Sequence, residues 1–131
     1  MLLDTTFLID LLRGTDKSAF QRAKLLDQRL ESKGVASITI MELWRGVMQS
    51  VHQDKEKKRV NELLSSLFQY PFQEKEAKKA GEIEAELLKQ GKMIDLEDIM
   101  IAGVASIHHE PILTRNSKHF SKINGIHVET Y

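Results

Sequence analysis

Apolar residues in this chain fall into short runs separated by longer helical stripes. Met1-Leu2-Leu3 is unbroken apolar sequence and stops at Asp4. Thr5 and Thr6 follow, and then Phe7, Leu8, Leu11 and Leu12 recur at the spacing of one helix face. The spacing predicts a short buried strand, a tight turn and a helix lying back on the sheet, with Asp4 at the junction. A second helix is predicted from a cap at Thr15 or Asp16 to about Glu31, with Phe20, Ala23, Leu26 and Leu30 on one face. Gly34 breaks it. Val35-Ala36-Ser37 reads as a second strand, and Thr39 opens a helix through Glu42, Leu43, Val47 and Val51.

The stretch from His52 to Arg59 is charged and predicts the solvated start of a helix that ends with Leu63, Leu64 and Leu67. Phe68 to Phe72 predicts a third strand, placed at a sheet edge by Pro71, which cannot donate to a ladder. Gln73 to Gln90 carries a helical stripe of Ala77, Ala80, Ile83, Ala85, Leu87 and Leu88, ended by Gly91. Asp95 opens a further helix to about His109. Pro111-Ile112-Leu113 and Ile126-His127-Val128 predict the fourth and fifth strands. Short strands alternating with helices predict βαβ units with right-handed crossovers: an α/β fold with a mostly parallel sheet and helices on both faces.

Length and composition narrow this picture. A chain of 131 residues suits one domain, taken as residues 1–131. Apolar residues make up 41% and charged ones 29%, which excludes wholesale disorder. There is no cysteine, so disulfide scaffolds and thiolate metal sites are excluded, and a reducing, cytoplasmic setting is expected. The most nearly continuous apolar stretch, Ile99 to Ile107, is far shorter than the roughly 20 residues of a membrane span, so no membrane association is expected. No signal peptide is read at the start, where Asp4 interrupts a run that has no basic flank. With 19 basic and 19 acidic residues the net charge is zero, so nucleic acid binding would need a local patch rather than bulk charge.

Three acids occupy equivalent places. Asp4 ends the first strand, Glu42 lies in the first turn of the helix after the second strand, and Asp98 lies in the first turn of the helix leading to the fourth. In a parallel sheet such helix N-termini gather where the strands end, the edge at which α/β proteins bind ligands. Each acid alone has a plain explanation. Thr39 with Glu42 spells a capping box, Asp95 with Asp98 imitates one, and Asp4 suits a helix cap. Together, converging carboxylates repel unless a cation neutralises them. Oxygen donors suit Mg²⁺, with Mn²⁺ as a substitute, and such a centre suits phosphodiester hydrolysis. Ala102, Gly103 and Ala105 after Asp98, and Gly46 after Glu42, are read as close-packing positions. Thr114, Asn116 and Ser117 leave the fourth strand at the same edge, with Ser117 read as part of a polar turn.

The blocks LDTTFLIDLLRG, SITIMELWRGV and DLEDIMIAGVA followed by ILTRNSKHF span nearly the whole chain. In this order and spacing the chain resembles PIN-domain ribonucleases, and in particular the VapC toxins of type II toxin–antitoxin modules. The resemblance implies a three-layer α/β/α sandwich and a metal-dependent endoribonuclease. It implies a Mg²⁺ site built by Asp4, Glu42 and Asp98, with Asn116 assisting and Thr6 helping to hold the site. It also implies a homodimer and inhibition by a small VapB-type antitoxin. The position matching Asn116 is often an acid, or an Asn followed three residues later by an acid. Here Asn116 and His119 both lack a carboxylate, which points to one well-held cation.

Other features are read more plainly. Lys55, Lys57, Lys58 and Arg59, and Lys75, Lys78 and Lys79, are taken as solvated helix faces. Arg13, Arg45 and Arg115 lie beside motifs and are the better candidates for RNA contact. Thr6, Thr114 and Arg115 are the expected substrate-binding set. His108, His109 and His127 are expected at the surface, with His119 at the site edge. Trp44 and the methionines are expected in a core or a dimer interface. Two alternatives stay open: a non-catalytic interaction domain whose acids are caps, and a phosphatase or phosphoacceptor domain with Asp4 as nucleophile. The second lacks a paired acid, because the residue two after Asp4 is Thr6.

Overall fold

The computed structural model describes residues 1–131. Its order is β1 (Leu2–Leu3), α1 (Thr5–Arg13), α2 (Lys17–Gln28), β2 (Gly34–Ala36), α3 (Ser37–Met48), α4 (Gln53–Ser65), β3 (Phe68–Tyr70), α5 (Glu74–Lys89), α6 (Leu96–His108), β4 (Ile112–Leu113), α7 (Ser117–Phe120) and β5 (Val128–Glu129). The five strands form one sheet in the order β3-β2-β1-β4-β5, with every pairing parallel. Leu2 sits at the centre, in register with Gly34 on one side and Ile112 on the other.

Strand residues alternate between two cores, as the two-residue strand period requires. Leu2, Ala36 and Ile112 pack with α5, α6 and α7, where Ile83, Leu87, Ile101, Val104 and Phe120 are buried. Leu3, Val35 and Leu113 point the other way and pack with α1 to α4 through Phe7, Leu8, Leu26, Leu43, Val47, Val60 and Leu64. This is why the strands read as apolar runs: a parallel sheet covered on both faces has no polar side. Each fully buried Leu contributes roughly 1.5–3 kcal/mol.

Several boundaries move for local reasons. Ser37 belongs to α3, so β2 ends at Ala36, and Thr39 is a buried residue within the first turn of the helix rather than the residue that opens it. Val51 lies outside α3 and is 91% exposed. Helix α2 ends at Gln28, and Leu30 takes a left-handed conformation, φ 53°, with its side chain 90% exposed. Phe20 is exposed too, and Ala19 and Leu26 carry the buried face of α2 instead. On α5 the inner stripe is Glu76, Ala80, Ile83 and Leu87, while Ala77, Ala85 and Leu88 face solvent. β5 is Val128–Glu129 rather than a strand centred on His127, and the expected polar turn after Asn116 is the short helix α7.

Gly103 is the close-packing position that its sequence context predicts, but its partner is a helix. It faces α5 rather than the sheet: a Cβ there would meet the Glu76 carbonyl oxygen at 2.8 Å and the Ala80 backbone N at 3.0 Å. Gly46 meets nothing within 4 Å and is not a packing position.

Candidate active site

Asp4 is placed where β1 ends and α1 begins, Glu42 two turns into the chain after β2, and Asp98 in the first turn of α6. None of them is used as a helix cap. Asp4 stands at the N-cap of α1 and Asp95 at that of α6, yet neither side chain makes a capping bond, and the N-cap of α3 is Ala36. The capping explanations for these acids are therefore not realised. The acids that do cap helices lie elsewhere: Asp16 Oδ1 accepts from the Ala19 backbone N–H at 2.9 Å at the start of α2, and the Glu76 carboxylate accepts from the Gln73 backbone N–H at 3.0 Å at the start of α5.

The acids are held by hydroxyls and amides instead. Asp4 is 2% exposed, and its Oδ2 accepts from the hydroxyls of Thr6 and Thr114, each at 2.7 Å. Glu42 Oε1 accepts from the Thr5 hydroxyl at 2.7 Å. That hydroxyl lies 3.0 Å from Thr39 Oγ1, which explains a polar residue buried in α3. Asp98 Oδ2 lies 2.6 Å from His119 Nδ1 and 3.4 Å from the Asn116 amide nitrogen. Each acid thus has one oxygen anchored. No hydrogen bond occupies Asp4 Oδ1 or Asp98 Oδ1, and Glu42 Oε2 has only the Arg45 guanidinium, 3.9 Å away.

Electrostatics set these acids apart. Burial pushes the Glu42 carboxyl above its ordinary value of 4.5, and the charges of Asp4 and Glu97 push it further, against the Thr5 bond. Burial also raises Asp98 above 3.8, with Asp4 and Asp95 adding to it against the His119 bond. Glu42 and Asp98 therefore both feel Asp4. The tightest potential metal-ligand grouping is nevertheless Asp95, Asp98 and His119, whose donor atoms lie within 4.8 Å of one another. Asp4 and Glu42 are outside that grouping.

The remaining expected site residues divide. Asn116 lies at the edge, with its amide nitrogen 2.7 Å from His119 Nδ1. Thr6 and Thr114 are also there, and their oxygens are 3.3 Å apart. Thr114 is fully buried and spends its hydroxyl on Asp4, so it supports the carboxylate and is not the substrate-facing residue its position predicts. Its oxygen also accepts from the Asn116 backbone N–H at 2.8 Å, tying the two halves of the edge together. The Arg115 guanidinium turns along α1 to Asp10, 2.9 Å away. Asp10 and Tyr131 were not legible as site neighbours. Asp10 reads as a polar break in an apolar stripe, and Tyr131 lies 121 positions away in sequence. Burial pushes the Tyr131 phenol well above its ordinary value, and its bond to Asp10 adds to that. A groove of 310 Å³ between α1, α3 and α4 reaches Glu42 and is lined by Ile9, Leu12, Arg13 and Arg59 among others.

Comparison with known proteins gives a consistent picture. The PIN domain matches residues 1–126. The chain is 29% identical over 130 residues to the tRNA(fMet)-specific endonuclease VapC of Salmonella typhimurium, covering 99% of this chain and 96% of that protein. It is 29% identical to ribonuclease VapC2 of Haemophilus influenzae, with the same coverage. Among solved structures, VapBC2 of Rickettsia felis bound to a promoter DNA fragment superposes with a TM-score of 0.91 at 25% identity, covering 99% of this chain and 97% of that one. DNA-bound VapBC of Salmonella typhimurium superposes with a TM-score of 0.88 at 29% identity, covering 98% and 96%. Family match, parallel sheet and acidic edge agree, and the chain belongs to the PIN-domain family, among the VapC-type ribonucleases.

Proposed function

We propose that this chain is a divalent-cation-dependent endoribonuclease that uses Mg²⁺, with Mn²⁺ as a substitute, and serves as the toxin of a toxin–antitoxin pair. The observation that carries this reading is the set of three acids at one sheet edge, each with one oxygen anchored and the other left without a strong partner. The donor set fits a hard cation, because the free atoms are carboxylate oxygens. Asp4, Glu42 and Asp98 would hold it, with Asp95 and His119 beside Asp98. When bound, such a cation lowers the pKa of water and offsets charge on a phosphate.

The protein's own groups do the rest. Thr6 and Thr114 fix the direction of Asp4, Thr5 fixes Glu42, and Asn116 and His119 fix Asp98. Glu42 Oε2, with only the Arg45 guanidinium 3.9 Å away, is placed to complete the cation's shell or to orient a water. The groove beside Glu42 mixes apolar walls with Arg13 and Arg59, which suits a segment of a small VapB-type antitoxin. Relatives of known structure are toxin–antitoxin complexes, which supports such a partner. A homodimer and a cytoplasmic location complete the proposal, and no helix is long and apolar enough to cross a membrane.

Cleavage of an RNA panel that includes initiator tRNA, with and without Mg²⁺, tests the reading. Asp4→Asn should reduce cleavage by at least about 100-fold, since several kcal/mol of charge stabilisation go with the cation. Cleavage by Asp4→Asn at the wild-type rate, or cleavage undiminished by chelator, overturns it. Absence of both cleavage and cation binding would leave the interaction-domain reading in its place.

A further inference from the structure

The face of α1 that carries Thr6 also carries Asp10, one helical turn further on. Asp10 is 4% exposed, and the cleavage reading gives it no task. Its carboxylate receives the Arg115 guanidinium, with Nη1 3.2 Å from Oδ1 and 2.9 Å from Oδ2. Oδ2 also accepts from the Tyr131 hydroxyl at 2.6 Å. The Tyr131 ring is in turn set against Phe7, edge to face, with centroids 4.9 Å apart, and Phe7 belongs to the buried core. A buried carboxylate is costly unless it is paired, so Asp10 holds the guanidinium firmly.

Arg115 is pinned at its backbone as well. Its N–H donates to Thr6 Oγ at 3.3 Å, and its neighbour Thr114 donates to Asp4. The guanidinium therefore lies along α1 roughly one helical pitch, about 5.4 Å, beyond the hydroxyl that holds Asp4. The Arg115 side chain is still 56% exposed. Asp10 engages only Nη1, which leaves the Nε and Nη2 donors of a five-donor fork for another acceptor. A chain with no net charge and a cluster of acids at its site needs a local cation to hold a polyanion there.

We infer that Asp10 and Tyr131 are positioning residues that hold the Arg115 guanidinium beside the acidic edge, as a clamp for a backbone phosphate of the RNA strand next to the one that is cut. This rests on the nuclease reading for its strand, but not for its geometry. An unheld arginine would lose rotamer freedom on binding; this one is already held by Asp10.

The test is binding of a fluorescently labelled single-stranded RNA of mixed sequence, followed by anisotropy over a range of salt. Ca²⁺ replaces Mg²⁺, and strand length is checked after each titration. Arg115→Ala should weaken binding about tenfold, a change of about 1.4 kcal/mol. It should also reduce the slope of log K against log salt by about 0.7, the amount that neutralising one phosphate adds on a single strand. Arg115→Lys should restore only part of the affinity, because a point charge lacks the fork. Asp10→Asn and Tyr131→Phe should weaken binding severalfold and add nothing once Arg115 is Ala. In cleavage assays their loss should fall in KM more than in kcat.

Additive effects of Asp10→Asn and Arg115→Ala, or an unchanged salt slope in Arg115→Ala, overturn the clamp. If Asp10→Asn fails to fold, Tyr131→Phe makes the same comparison, since it keeps the ring against Phe7 and removes one oxygen. Wild-type protein that binds RNA without cutting it sinks the nuclease reading and leaves the clamp standing. Wild-type protein that cuts RNA while Arg115→Ala binds as tightly sinks the clamp alone, and wild-type protein that binds no RNA sinks it too.

Discussion

The two ends of α6 handle buried carboxylates in opposite ways. At its last turn His108 bonds Glu76 at 2.9 Å, and Glu76 also accepts from the Gln73 N–H. Beside them Glu110 accepts from the Tyr70 hydroxyl at 2.8 Å and pairs with the Met1 amino group. Both carboxyls lie below their ordinary value of 4.5. Backbone N–H bonding is the largest cause for Glu76; for Glu110 the amino group and the phenol outweigh burial. The Tyr70 phenol is pushed up to about 12, by burial and then by the Glu110 bond. At the first turn of α6, about 15 Å away along the helix, Asp98 is raised instead, and Glu42 with it. One end is an internally satisfied polar network. The other concentrates like charges and satisfies each only halfway, which is the arrangement expected of a site waiting for a ligand.

The largest break in this symmetry should come from a divalent cation. At a hundredfold excess over its Kd, Mn²⁺ should stabilise the fold by about 2.7 kcal/mol, roughly 10 °C in Tm. The gain should vanish in Asp98→Asn and persist in Glu76→Gln, as thermal unfolding with and without metal will show. Next comes Glu76→Gln itself. The amide oxygen can serve only one of Gln73 and His108, and the negative charge is lost, so the substitution should destabilise by about 1–3 kcal/mol in denaturant titrations, with or without cation.

Glu42→Gln should do the reverse on a smaller scale. The amide oxygen keeps the Thr5 bond while the repulsion from Asp4 and Glu97 is lost. The cation-free protein should gain under about 1 kcal/mol, a few degrees in Tm. A loss of stability would show that the site acids are not in conflict.

The smallest effect is in pH, and its sign differs between the ends. Glu42 and Asp98 have folded values above their unfolded ones, so their contribution is full below about 4 and fades as pH rises through the raised folded values. Glu76 and Glu110 have lowered values, so theirs is present above 4.5 and fades as pH falls. Amide exchange without cation, compared at about pH 6 and about pH 3.5, should show the start of α6 growing more protected while its last turn and the start of α5 grow less so. Saturating cation should abolish the trend at the first end only.

Part of the candidate site was legible because Asp4 and Asp98 sit at junctions, and parallel topology brings the ends of such elements to one edge. Glu42 was expected in the first turn of its helix and lies in the second turn of α3, because that helix begins at Ser37. What was not legible depended on pairs far apart in sequence. His108 has no sequence feature that separates it from a surface histidine, and Glu76 is one acid among several on a charged helix. Phe20 and Leu30 have the spacing of a buried stripe, yet α2 turns Ala19 and Leu26 inward and ends before Leu30.

Local sequence determined the elements and the chemistry at their ends. Apolar period, breakers at Gly14 and Gly91, and acids at the junctions act within a few residues, so the α/β class and the acidic edge follow from them. Tertiary structure alone decided which oxygen of each acid is anchored and which is left open. It also decided that His119 meets Asp98, that Gly103 admits α5, and that Asp10 is shared by Arg115 and Tyr131. Those outcomes depend on distances between separate segments, from 21 positions apart for Asp98 and His119 to 121 for Asp10 and Tyr131, which only the packed fold sets.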